Sequence, residues 1–346
     1  MDEDMTSEMI ALRKIDRIDS ALARLRRHES DCRLCPRDCR INRAGKENGF
    51  CESGNIAVVS HALLHFGEEP VLSGPSDGVS ARGDAGWMRS GSGTVFFAGC
   101  NLKCRFCQNY QLSWLGRGRP AGDEELAGLM LGLQEKGALN INLVSPSHLI
   151  LPILRALKIA YSKGLKIPVV SNSNGYEKAS VLACLEGIID IYLPDLKYFS
   201  PELSLKFSSA EDYFTHASEA VKEMAFQQPA LVFDDQGIAQ RGLIVRHLVL
   251  PGQTQDSLAI LDWLAGEFGS HVAISLMSQY HPRFRAPEGL QRPLSPEEYR
   301  EVLAKARGLG FERMFIQPEA FGPGDHLFPD FDRAEPFCWD DKTRKD

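Results

Sequence analysis

The apolar pattern of the chain changes character near residue 94. Ahead of that point Ala11, Ile15, Ile18, Leu22 and Leu25 recur at helical spacing with Arg and Lys on the other faces, which predicts an amphipathic opening helix. From Ser30 to Gly93 apolar runs are short and Gly, Ser and Pro are frequent, the pattern of an irregular lobe that metal would have to staple. Beyond it, short apolar or β-branched runs alternate with helical patterns. Strands are predicted at TVFFAG (94–99), INLVS (141–145), PVVSNS (168–173), IDIYLPDLK (189–197), LIVRHLVL (243–250), VAISLMS (272–278) and RMFIQ (313–317). Helices are predicted between them at 123–136, 149–163, 178–186, 201–227, 256–268 and 296–308, the last opening on the capping box Ser295-Pro296-x-Glu298.

Six or seven β-then-α units, with no glycine-rich dinucleotide fingerprint after the first, predict an α/β chain. The expected form is a partial (β/α)6 TIM-like barrel with an N-terminal Cys-rich metal-binding lobe. The organisation read from this is a helix at 1–29, the lobe at 30–93, the barrel at 94–320 and a tail at 321–346. In such barrels chemistry sits where strands end and loops begin.

Composition narrows the partners. Across 346 residues, 43% hydrophobic and 25% charged, a sizeable core is available, and a net charge of -7 with no long Lys/Arg run gives no footprint for nucleic acid or an anionic membrane. An acidic start, MDEDMTSEM, and the lack of a long apolar run predict a cytoplasmic protein without a membrane span.

Cysteine is where the chemistry concentrates. Seven of nine fall in two groups, Cys32, Cys35, Cys39 and Cys51, then Cys100, Cys104 and Cys107; in a reducing compartment such clusters point to metal rather than disulfides. Cys184 and Cys338 stand alone and read as ordinary core or tail residues. Three thiolates directly after the first barrel strand would bind three irons of a cubane cluster and leave the fourth open to a chelating ligand. Zinc completed by a distant fourth ligand is the alternative for these three. The first group supplies four thiols at spacings usable by structural zinc or by a second cluster.

Cys100-x3-Cys104-x2-Cys107 after the first strand, with Phe106 before the last cysteine, resembles the radical S-adenosylmethionine superfamily. The runs GSGTVFFAGCNLKCRFCQNYQLSW, GALNINLV, GYEKA, IYLPDLKY, GLIVRHLVLPG and SLMSQY are similar to a subgroup related to pyruvate formate-lyase activating enzyme, over Cys32 to about Gly310. The resemblance implies a [4Fe-4S] cluster on Cys100, Cys104 and Cys107, with S-adenosyl-L-methionine on the open iron. Reductive cleavage would give a 5'-deoxyadenosyl radical that abstracts hydrogen from a substrate, a glycyl-radical enzyme being one candidate and another peptide or a small molecule the others. A reductant such as flavodoxin or ferredoxin is implied, and no catalytic side chain beyond the cluster ligands. An iron-sulfur electron-transfer protein that cleaves nothing is the alternative from another class.

Cofactor contacts are expected from Phe106, Asn172, Asn174, Asp195 and Arg246, with Lys197 a weaker addition on the same side of its strand as Asp195. Ser171 and Ser173 are further polar neighbours in SNSNGY. Arg246 and His247 must face opposite ways; the resemblance selects Arg246, leaving His247 packed between barrel and helices. Tyr280-His281 also resembles the activating enzyme. At the second strand Asn142-Leu-Val-Ser145-Pro-Ser-His148 stands where a Gly-Gly-Glu run normally meets the cofactor's amino group, with Ser145 the replacement suggested. His65, Glu68 and Glu69 in HFGEEP read as solvated loop charges near the mouth.

Overall fold

A computed structural model of the chain describes residues 6–45, 47–74, 82–83, 86–87, 90–319 and 328–337. Cys338 and most of the 321–346 tail lie outside the described residues. Helix α1 (Ser7–Leu25) is capped by the Thr6 hydroxyl and buries Ile18, Ala21 and Leu25. Its Lys14 is buried too, and the ammonium bonds Asp190 Oδ2 at 2.5 Å and Tyr161 Oη at 3.0 Å, pinning the helix to the body of the fold.

The expected unclosed barrel is present. Its parallel strands are β4 (Gly91–Phe97), β6 (Ala138–Val144), β7 (Val169–Ser173), β8 (Ile191–Pro194), β10 (Ala239–Leu248), β11 (Ala273–Met277) and β12 (Met314–Ile316), side by side in chain order. The weakest predicted strand, RMFIQ, thus becomes the seventh of the parallel set. Between them run α3 (Tyr110–Ser113), α4 (Asp123–Glu135), α5 (Ile150–Ser162), α6 (Ala179–Leu182), α7 (Pro201–Ser208), α8 (Tyr213–Gln227), α9 (Thr254–Phe268) and α10 (Pro296–Gly308). The single helix expected over 201–227 is two, because Ser209 takes a left-handed conformation that ends α7. The capping box on α10 forms as its sequence predicts.

Register divides each strand into two faces. Val95, Ile141, Val169, Tyr192, Val245 and Ile274 pack outward against the helices, whereas Val170, Ile191, Leu193, Ile244 and Ala273 fill the inside of the curved sheet. Two residues beyond Leu193 and Ile244, at the open ends of β8 and β10, the inner face presents Asp195 and Arg246, which pair across the strands. Carboxyl ends of several strands therefore converge on one mouth.

The irregular lobe predicted for 30–93 is corrected in part. Residues Ala57–His65 form β1, antiparallel to β4 on one side and to β5 (Arg119–Ala121) on the other. AVVSHALLH shows no clean alternation, so its strand character comes from two flanking partners and could not be read from its own pattern. A short helix α2 (Pro70–Ser73) follows, then a two-residue ladder of β2 (Arg82–Gly83) and β3 (Gly86–Trp87); β9 (Val232–Phe233) pairs with β10. No helix among the described residues is long and apolar enough to cross a membrane.

Candidate functional site

The site begins where β4 ends. Gly99 has φ +83°, and a Cβ there would lie 2.5 Å from Ser53 Oγ and 2.6 Å from the Cys51 carbonyl oxygen, so only glycine lets the chain turn into the cysteine loop. Cys100 and Cys104 are buried and Cys107 half-buried. Cys100 Sγ accepts from the Leu102 and Lys103 amides, both at 3.4 Å, and from Asn174 Nδ2 at 3.5 Å. Burial, with the neighbouring Cys104, pushes the Cys107 thiol up to about 12, and burial raises Cys100. Raised in this way, the Cys100 and Cys107 thiols must give up protons for a metal to be held.

One cation stands beside these sulfurs. Burial alone would lower the Lys197 ammonium, but Asp195, 2.5 Å away, together with Cys104 and Cys107, holds it above its ordinary range. The expectation that Asp195 and Lys197 share a side is met, and their ion pair faces the three cysteines. Tyr213 Oη binds the loops beneath them together, donating toward the carbonyls of Asn174 (2.9 Å) and Asp195 (2.8 Å) and accepting from the Lys197 amide.

The other expected cofactor contacts are placed variously. Asn172 lies half-buried on the inner face, in register with Val144 and Leu193. Asn174 is turned to the cysteine loop, donating to Asn101 Oδ1 at 2.8 Å as well as to Cys100. Phe106 is 5% exposed and sits edge-on between Phe207 and Tyr280, a core position. Ser145 has φ +57°, uncommon for a residue with a side chain, and its amide donates to the Asn172 carbonyl at 2.8 Å. Ser171 is buried; Ser173 donates to Glu177 at 2.5 Å.

Arg246 shows what the sequence reading missed. Its guanidinium is gripped by Glu69, at 2.8 and 2.5 Å, and by Glu68, with all three side chains 5–12% exposed. The Glu68 and Glu69 side chains of HFGEEP are thus buried against the inner face instead of solvated. Burial would raise the Glu68 carboxyl, yet Arg246 and His65 hold it well below the usual carboxylate range. No local signal marks this pairing; a charged pair in a loop and an arginine 177 residues later carry no common pattern. His247 is packed as expected, bonded to the Leu196 carbonyl (2.7 Å) and Ser257 Oγ (2.8 Å), and burial lowers it to about 4. Tyr280 is buried, donating to the Leu290 carbonyl, while His281 meets the Phe328 ring.

The donor set fits an iron-sulfur cluster: three sulfurs from one loop, amide donors on one of them, and a buried cation opposite. No protein-family model matches the chain. An uncharacterised protein of Methanocaldococcus jannaschii is 29% identical over 297 residues, 82% of this chain and 77% of its own length. Among solved structures, anSMEcpe with bound AdoMet aligns over 63% of this chain and 61% of its own, at 14% identity and a TM-score of 0.42. SuiB of Streptococcus suis, bound to the precursor peptide SuiA, aligns over 66% of this chain and 47% of its own, at 13% identity and a TM-score of 0.43. Methylornithine synthase aligns over 63% and 68%, at 14% identity and a TM-score of 0.38.

Proposed function

We propose that the chain is a radical S-adenosylmethionine enzyme whose [4Fe-4S] cluster is held by Cys100, Cys104 and Cys107. The observation that carries this reading is the loop itself: three sulfurs at the carboxyl end of the first parallel strand, facing the Asp195–Lys197 ion pair. A reduced cluster held by these three cysteines would supply the one electron for reductive cleavage of S-adenosylmethionine, and the cleaved cofactor would supply the chemistry of hydrogen-atom abstraction.

The chain's own residues prepare that chemistry. Amide donors from Leu102 and Lys103 and the Asn174 amide stabilise sulfur charge on Cys100, and Lys197 offsets the negative charge of the thiolates. Asp195 fixes the Lys197 ammonium and stands at the mouth two residues beyond Leu193, the partner of Asn172 on the neighbouring strand. The buried Arg246–Glu68–Glu69 cluster holds the HFGEEP segment on the inner face and keeps water from one flank. The activating-enzyme likeness makes a protein glycine the first substrate to try.

The test is 5'-deoxyadenosine release by anaerobically reconstituted, dithionite-reduced protein given S-adenosylmethionine, beside Cys104→Ala. Release by the wild type and background from the variant is expected. No release from a wild type with its full iron and sulfide would overturn the reading and favour simple electron transfer.

A further inference from the structure

Cys32, Cys35, Cys39 and Cys51 line one cleft, partly open to solvent, with Phe50 and His148 among its other lining residues. Cys35 is close enough to the other three to feel each of them electrostatically. Donors reach the sulfurs: Arg43 Nη1 lies 3.4 Å from Cys32 Sγ, and the Phe50 amide 3.4 Å from Cys39 Sγ. Neutral thiols accept weakly, so such donors suit metal-bound thiolates. A zinc ion sits about 2.3 Å from each sulfur and draws four of them to within about 3.8 Å of one another. A [4Fe-4S] cluster takes one thiolate on each of its four irons, so the four cysteines around this cleft supply a complete set.

This cleft shares a wall with the triad loop. Arg37, between Cys35 and Cys39, donates to the carbonyls of Asn101 (2.9 Å) and Leu102 (3.4 Å), and its guanidinium lies 3.7 Å over the Phe50 ring. The Cys51 carbonyl oxygen is 2.6 Å from the point where a Gly99 Cβ would stand, one residue before Cys100. His148 reaches the same strand end, its Nε2 3.0 Å from the Ala98 carbonyl oxygen.

We propose that Cys32, Cys35, Cys39 and Cys51 hold a second [4Fe-4S] cluster, fully ligated by protein, which passes electrons to the cluster on Cys100, Cys104 and Cys107. Four protein thiolates leave no open iron, so the site handles electrons and binds no chelating substrate. A low-potential one-electron carrier of the flavodoxin or ferredoxin class is oxidised by one electron as the outer cluster is reduced. The same electron then moves to the triad's cluster, with no bond made or broken and no proton transferred. The relay rests on the function proposed above; the outer site does not.

The experiment uses the full chain, reconstituted anaerobically with 57Fe and sulfide, as wild type and as Cys104→Ala, with Cys104→Ser as the replacement if the alanine variant does not fold. About eight irons and eight sulfides per wild-type chain are expected and about four of each in the variant, with the Mössbauer pattern of a [4Fe-4S] centre. Zinc without sulfide in the variant, or a variant that has lost all the iron of a four-iron wild type, overturns the second cluster and spares the triad. Four irons kept by the variant, with no 5'-deoxyadenosine from the wild type, spare the second cluster and overturn the enzyme reading. For the relay, the electron paramagnetic resonance spectrum of reduced wild type should be broadened beyond the sum of Cys104→Ala and Cys35→Ala. A plain sum overturns it.

Discussion

The two cysteine loops are built in opposite ways. The triad loop leaves the end of β4, a strand buried along its whole length and paired on both sides, so its ends are set by a core that exists before any metal arrives. The quartet lies in a segment with little regular structure, tied by single hydrogen bonds such as Cys32 amide to Ile41 carbonyl and Arg43 amide to Glu29 carbonyl. A scaffolded loop can wait for its cofactor. A lobe with four thiols and little regular structure takes its shape from what it binds.

The largest effect should therefore come from metal removal, and it should be lopsided. Stripping iron by anaerobic chelation is expected to raise hydrogen exchange of the Arg40, Arg43 and Phe50 amides by roughly 10³-fold, about 4 kcal/mol of local stability, with β7 and β8 unchanged. Equal loss in both regions, seen by exchange mass spectrometry, would dissolve the distinction. Next is Arg246→Ala, which takes the guanidinium from buried Glu69 and leaves Glu68 with His65 alone, and should cost about 3–5 kcal/mol in urea unfolding. A change below about 1 kcal/mol would mean those carboxylates reach water freely.

A smaller effect is set by pH. Burial holds His247 at about 4 against an ordinary 6.5, and does the same to His148. The unfolded chain then binds protons that the folded one refuses, so stability is full above pH 6.5 and lost as pH falls toward 4. Each histidine should cost roughly 1.4 kcal/mol between pH 7.5 and 5.5. His247→Gln should remove its own share of that slope and leave the remainder to His148 and His28, which burial also lowers; an unaltered slope would contradict its neutral, packed state. The smallest effect is Ser295→Ala at the α10 capping box, about 1 kcal/mol by thermal unfolding.

The same contrast explains what could be read beforehand. The β/α rhythm, the triad at a strand end and the shared side of Asp195 and Lys197 follow from periods of two and 3.6 residues, which are local, whereas the family resemblance chose Arg246 over His247 for the inner face. β1 was hidden because its identity depends on β4 and β5. The burial of Glu68 and Glu69 was hidden because their partner is 177 to 178 residues away. Asn174 was legible as a polar residue at a turn, but its turning toward Cys100 depends on Asn101, which no pattern in SNSNGY indicates.

The central claim is that three thiolates leave one iron of the triad's cluster open to S-adenosylmethionine. The most direct measurement is the electron paramagnetic resonance spectrum of the reduced Cys35→Ala protein, which keeps only that cluster, before and after addition of S-adenosylmethionine. The account predicts a change in g-values on addition, saturable in the cofactor and absent from Cys104→Ala. An intact, reduced cluster whose spectrum does not respond at saturating cofactor would contradict it.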